Sequence, residues 1–207
     1  MKSGELKKVA QAYAACLSTP WLRVGSEFIR REGDWAQIVG FNASRFSEQY
    51  APRSCMEFLK MPGVPTGGFL VQELQNPNAT QRWVKSSENP TAVFDQMVKQ
   101  FKPPLLKPLN LSEIKPLLAA TINYWPHAYA LCVMACEEGN AIEAERFFNT
   151  FLSAIADKAY PWAETRKHEL AECLKQLESP ETLRTHLERV RVGKLRALKL
   201  STREGVA

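Results

Sequence analysis

Four groups of side chains in this chain are of a type and spacing that could do chemistry. The first is Cys132 and Cys136, four residues apart in a helical stretch and so on one helix face. Two thiolates placed this way are half of a tetrahedral zinc site. Completing it needs two further ligands, and His127 is only one more candidate; no second Cys or His pair occurs at ligand spacing. The pair therefore reads as buried, reduced thiols acting as small hydrophobes, with no metal expected. The second group is Glu137, Glu138, Glu143 and Glu145, which flank a turn at Gly139. Converging carboxylates do general acid–base work, but acids in the first turn of a helix also simply complement its dipole. The third is His127, which begins a helix in aromatic surroundings, whereas His168 and His186 read as solvated or capping residues. The fourth is cationic. Arg189, Arg196, Lys199 and Arg203 fall opposite Leu183, Leu187, Val190 and Leu198 at 100° per residue, provided the helix continues through Gly193. These four are the candidate partner-binding residues.

No Gly-x-Gly-x-x-Gly, no phosphate loop and no Gly-x-Ser-x-Gly elbow occurs, so no cofactor is expected and no catalytic residue is assigned. The five cysteines (Cys16, Cys55 and Cys173 besides the pair) are odd in number and scattered. With no secretory signal visible at the N-terminus, they argue against a disulfide framework and for the cytoplasm. The Asn-x-Ser/Thr sequons at Asn42, Asn78 and Asn110 are then chance matches.

Charge is unevenly spread. The 207 residues carry a net +5, all of it within residues 1–110. Residues 137–181 hold ten acids and five bases, and residues 184–203 hold seven bases against Glu188 alone. Such a basic end either is a solvated face, pairs with the acidic helices before it, or meets an anionic partner. Nucleic acid is the weaker choice of partner, because no aromatics are interleaved with these bases and no RNP-type aromatic strand is present. An acidic protein surface fits better.

The elements that must position these groups are legible from periodicity. Leu6, Val9, Ala10, Tyr13 and Leu17 predict a helix over 4–17. Alternation predicts a strand over 22–31, a turn at Gly33-Asp34 and a strand over 35–43, as a hairpin. Further strands are expected over 55–61, 68–74 and 82–85, the first two separated by a turn cluster over 62–68. From Asn89-Pro90 the signals turn helical, with Pro116 placed in the first turn of its helix. Gly139-Asn140 reads as a helix stop and start, and Ser179-Pro180-Glu181 opens the last helix with a cap, a proline and an acid. The tail after Ser201 reads as frayed. The fold class is α+β: a helix and an antiparallel sheet of four to five strands, then a bundle of five to six helices. Residues 1–88 form the helix-plus-sheet part and residues 89–207 the helical part, packed either as one composite domain or as two subdomains divided near 89 to 110. No apolar run approaches the length of a membrane span, and no membrane partner is expected.

Residues 21–61 carry a resemblance. Gly25, Phe28 and Arg30 form a Gly-x-x-Phe-x-Arg strand after a helix, and the next strand ends at Ser44-Arg45. This resembles an uncharacterised family of bacterial α+β domains over roughly the first half of the chain. The family often has glutamine two residues before that serine, where this chain has Asn42. The resemblance implies an α+β fold in a bacterial protein of a kind found in part in toxin–immunity gene clusters, and it brings no catalytic residues. A fainter likeness to a tetratricopeptide-type helix hairpin, through Gly139, Ala144 and Phe148, supports helix packing rather than a repeat array. Three functions follow as expectations. The leading one is a non-catalytic protein-binding module of the bacterial cytoplasm, an immunity protein neutralising a cognate toxin being one form of it. The alternatives are a hydrolase-like enzyme with a site between sheet and helices, and a nucleic-acid-binding protein using the basic terminal helix.

Overall fold

The computed structural model describes residues 3–18, 20–61, 68–156 and 161–200. The turn cluster expected over 62–67, the tail after Ser201 and Arg203 lie outside the described residues. The fold is α+β, an N-terminal helix and an antiparallel sheet followed by helices. The chain divides into two compact units, one built from residues up to 57 together with 70–110, the other from 58–69 and 111–202. Among the described residues no helix is long and apolar enough to cross a membrane.

In the first unit, helix α1 (Ser3–Tyr13) turns Val9, Ala10 and Tyr13 inward. It stops short of the expected end, although Leu17 in the turn beyond is still buried. The single strand expected over 22–31 is two, β1 (Leu22–Val24) and β2 (Glu27–Glu32). Gly25 adopts φ +67, a left-handed conformation that suits glycine, and closes a tight hairpin pairing Val24 with Glu27 and Leu22 with Ile29. Strand β3 (Trp35–Ala43) is central and buried on both faces for most of its length. Strand β4 (Gln49–Phe58) begins six residues earlier than expected and carries both β5 (Phe69–Glu73) and the short β6 (Val84–Lys85) beside it. Among the described residues the sheet has six strands, the strand expected over 22–31 being divided in two.

Helix α2 (Pro90–Gln100) starts as its sequence requires. The Asn89 side chain accepts the Thr91 N–H at 3.0 Å, and Pro90 occupies the first turn, where its missing N–H costs nothing. Its Val93, Phe94 and Met97 enter the same core as Tyr13, Phe28, Val39, Phe41 and Tyr50 of α1 and the sheet.

Two tyrosines meet in that core, hydroxyl to hydroxyl at 2.8 Å, with Phe41 packed against both rings. Burial raises the pKa of each above the ordinary tyrosine value, and the hydrogen bond raises that of Tyr13 further. The stability this contributes is complete below pH 10, where unfolded and folded tyrosines are both neutral. Above pH 10 the unfolded chain loses protons that the folded pair keeps, so stability falls. Tyr13→Phe removes one such group and is expected to flatten that alkaline loss by about 1 kcal/mol per pH unit. Denaturant titrations of both proteins at pH 8 and above pH 10 check this; parallel losses would refute it.

The second unit is built on α4 (Trp125–Glu137), apolar around its whole circumference and correspondingly buried from Pro126 to Val133. Helices α3 (Leu111–Ala119), α5 (Ala141–Ile155), α6 (Ala163–Lys175) and α7 (Pro180–Ala197) all pack on it. Pro116 sits in the second turn of α3, not the first, so one helical hydrogen bond is forgone there. The α4–α5 hairpin follows its sequence signals closely. Gly139 takes φ +71, the Asn140 N–H returns to the Ala135 carbonyl at 2.9 Å, and the Asn140 side chain caps the Glu143 N–H at 3.2 Å. Pro180 opens α7, but Ser179 makes no side-chain cap; its carbonyl instead receives the Thr182 and Leu183 N–H groups.

Candidate functional site

Helix α7 runs unbroken through Gly193, the condition for its cations to share a face. Arg184, Arg189, Arg196 and Lys199 are exposed. Arg189 and Arg196 are seven residues apart, two helical turns, which puts them about 10 Å apart along one side. Lys199 lies just past the helix at φ +57, where the Leu200 N–H closes back onto the Leu195 carbonyl at 2.8 Å. The other two cations of the segment face the opposite way. Arg191 and Lys194 are buried with Leu183, Leu187 and Leu195. Arg191 pairs with Glu188 at 2.7 Å, and the Lys194 ammonium donates to the Phe58 carbonyl at 3.0 Å. Arg191 and Lys194 therefore anchor the helix, and Arg184, Arg189 and Arg196 project from it.

Five of the acids upstream are engaged elsewhere. Glu137 pairs with Lys60, Glu138 and Glu143 both reach Lys115 (2.7 and 3.5 Å), Glu169 binds Arg166 at 2.6 Å and Glu172 binds Lys175 at 2.8 Å. Among the described residues, none of Arg184, Arg189, Arg196 and Lys199 forms an ion pair. Among the described residues, nothing neutralises this basic face.

The carboxylates around Gly139 do converge in part, but on a cation. Glu138, through its hydrogen bond, and then Glu143 hold the Lys115 ammonium above its usual pKa against the opposing effect of burial. Both carboxylates thus face the Lys115 ammonium, while Glu145 is exposed. His127 is 5% exposed. Its Nδ1 lies 2.7 Å from the Thr121 hydroxyl, and its ring packs edge-on to Tyr124. Burial lowers its pKa, which keeps the ring neutral. His168 is exposed and His186 half-buried.

Cys132, Cys136 and Cys173 are all buried, and Cys132 donates to the Ala144 carbonyl at 3.3 Å. The hydrogen bond to Cys136 and then burial push the Cys132 thiol far up, and burial takes Cys173 to about 12. All five cysteines are free thiols. Among the described residues no group of three or more His, Cys, Asp or Glu side chains is arranged to hold a metal ion.

One polar cluster was not singled out by spacing. On β2 and β3 of the first unit, Arg30 (3% exposed) and Gln37 (0%) stand opposite one another in the register. The Arg30 guanidinium donates to Gln37 Oε1, to the Pro104 carbonyl at 2.9 Å and to the Lys107 carbonyl, while its centre lies 5.0 Å over the Trp21 ring. Gln37 Nε2 donates onward to the Pro103 carbonyl at 2.8 Å. The signal was present in the sequence: Arg30 shares its strand face with Phe28, an inward position.

No family model, no curated protein and no solved structure matches this chain.

Proposed function

We propose that this chain is a non-catalytic protein-binding module of the bacterial cytoplasm that engages an acidic protein surface through the exposed face of α7. The observation that carries the reading is the set of exposed cations at Arg184, Arg189, Arg196 and Lys199, which form no ion pair among the described residues. Leaving like charges unneutralised along one helix costs stability, and an anionic partner would recover that cost. An immunity protein occupying a cognate toxin is the form of this role that the resemblance at residues 21–61 suggests. The enzyme alternative loses its two starting points, since His127 is enclosed and the Gly139 carboxylates neutralise Lys115.

The test begins with the product of the neighbouring reading frame, co-expressed and then titrated against the purified protein. Arg189→Glu with Arg196→Glu is expected to weaken binding by at least about tenfold per arginine. Both positions are exposed, so stability should stay within about 0.5 kcal/mol of wild type. Binding of the unmodified protein should also fall as salt rises. Unchanged affinity in the doubly reversed variant would remove α7 from the interface. Retardation of mixed DNA or RNA at low salt, lost on reversal, would replace this reading with the nucleic-acid one.

A further inference from the structure

The first unit holds a buried cation that pairs with no carboxylate among the described residues. Arg30 is 97% enclosed by its 3% exposure, and every acceptor around its guanidinium is a neutral oxygen: Gln37 Oε1 and the Pro104 and Lys107 carbonyls. Its Nε has no partner. An arginine does not shed its proton to escape burial, so the charge persists and is incompletely solvated by these dipoles. The nearby acid is Glu32, whose carboxylate accepts the Leu109 N–H at 2.8 Å.

Arg30 also lines a cavity of about 380 Å³. That volume lies in the range of small-molecule sites, which are apolar clefts with a few placed polar groups. The walls divide by character. Pro20, Trp21, Leu105, Leu106 and Pro108 supply apolar surface, and Leu106 is 62% exposed at the rim. Arg30, Arg31 and Lys107 supply positive charge against Glu32 alone. The Trp21 ring is fixed in place by its indole N–H, which donates to the Leu105 carbonyl at 3.3 Å. Cys16, the one free thiol of the chain that is not buried, opens onto the same space.

We propose that this cavity binds a small organic monocarboxylate. Its carboxylate neutralises Arg30 with help from Lys107, and its apolar body lies along Trp21, Leu105 and Leu106. Arg is the residue suited to this, because its planar donors match a carboxylate. The single acid at the rim, Glu32, disfavours a second negative charge on the ligand. This site is independent of α7 and of the partner proposed for it.

Phenylacetate and hexanoate, each paired with its neutral amide, are the probes. Calorimetric titration reads binding, and the rate of Cys16 alkylation by iodoacetamide reads occupancy. The expected result is saturable binding of an acid, at least about tenfold weaker binding of the matching amide, and slowed Cys16 alkylation by the acid alone. Arg30→Met should abolish binding, its fold being checked by near-ultraviolet circular dichroism. Because Arg30 also holds the 103–107 segment, Lys107→Glu, at an exposed position, is the second variant and should weaken the acid by a similar factor. No saturable binding of either acid up to about 10 mM overturns the proposal, as does equal binding of acid and amide. So does a Lys107→Glu protein that binds like wild type, or inorganic phosphate binding where the acids do not.

Discussion

Gln37→Leu is expected to destabilise the sheet unit by about 3–5 kcal/mol, out of proportion to a change of shape so small. The substitution keeps the volume of the side chain but removes both of its polar ends. Oε1 is one of three acceptors on a guanidinium that is 97% enclosed, and Nε2 is the donor to the Pro103 carbonyl. With Arg30 Nε already bare, the remaining dipoles are two backbone carbonyls. Breaking a buried polar set on one side leaves a charge that the surroundings cannot screen, which is far worse than never having had it. The double variant Arg30→Met with Gln37→Leu should accordingly lose less than the sum of the two single changes, because apolar groups then face one another. Hydrogen exchange at the amides of β2 and β3, together with urea unfolding, measures both. A Gln37→Leu protein within about 1 kcal/mol of wild type would show that the network contributes little.

The same pair shows where sequence reading ran out. Element type was legible because the dominant signals are local. The Asn89-Pro90 and Gly139-Asn140 boundaries are cap chemistry, and both caps form as expected. The stripe of Phe147, Phe151 and Ile155 is buried as its spacing demands. The failures are positions where a tertiary partner overrides a local pattern. The alternation over 22–31 predicts one strand, yet the positive φ of Gly25 makes a turn that divides it. The strand expected from Cys55 begins at Gln49, and in that added first half Tyr50 and Ala51 are fully or nearly fully buried. In α7 the periodicity already contained the answer. Arg191 and Lys194 fall on the Leu187 side of the helical wheel, and they are the two bases that turn inward. The carboxylate cluster failed differently: nothing near Gly139 in the sequence announces Lys115, which arrives from α3 to neutralise it.

The second large effect is expected at Phe151, and it separates stability from binding. Phe151 is 0% exposed on α5, with its ring edge-on to Tyr129 at 5.6 Å and to Trp125 at 6.3 Å. Phe151→Ala removes a whole buried ring from a helix pair that cannot close the gap without breaking those contacts. A loss of about 3–5 kcal/mol follows, from transfer and cavity terms together. Phe151→Leu fills most of the space and should cost markedly less, while Ile142→Ala on the same helix, at 83% exposure, should change almost nothing. The damage should also spread in a particular direction. The Tyr129 hydroxyl donates to Glu169 at 2.9 Å, and Glu169 holds Arg166, so the ring that Phe151 packs against links α4 to α6. Freeing that ring loosens the link, and hydrogen exchange in α6 should rise along with that in α5. Equal exchange in α6 before and after the substitution would show that the ring stays in place without its neighbour. Helix α7 packs on the same α4, so Phe151→Ala should lower partner binding only as far as it lowers the folded fraction. Reversing Arg189 and Arg196 should lower binding at unchanged stability, and the contrast between the two variants distinguishes a surface that recognises from a core that supports it.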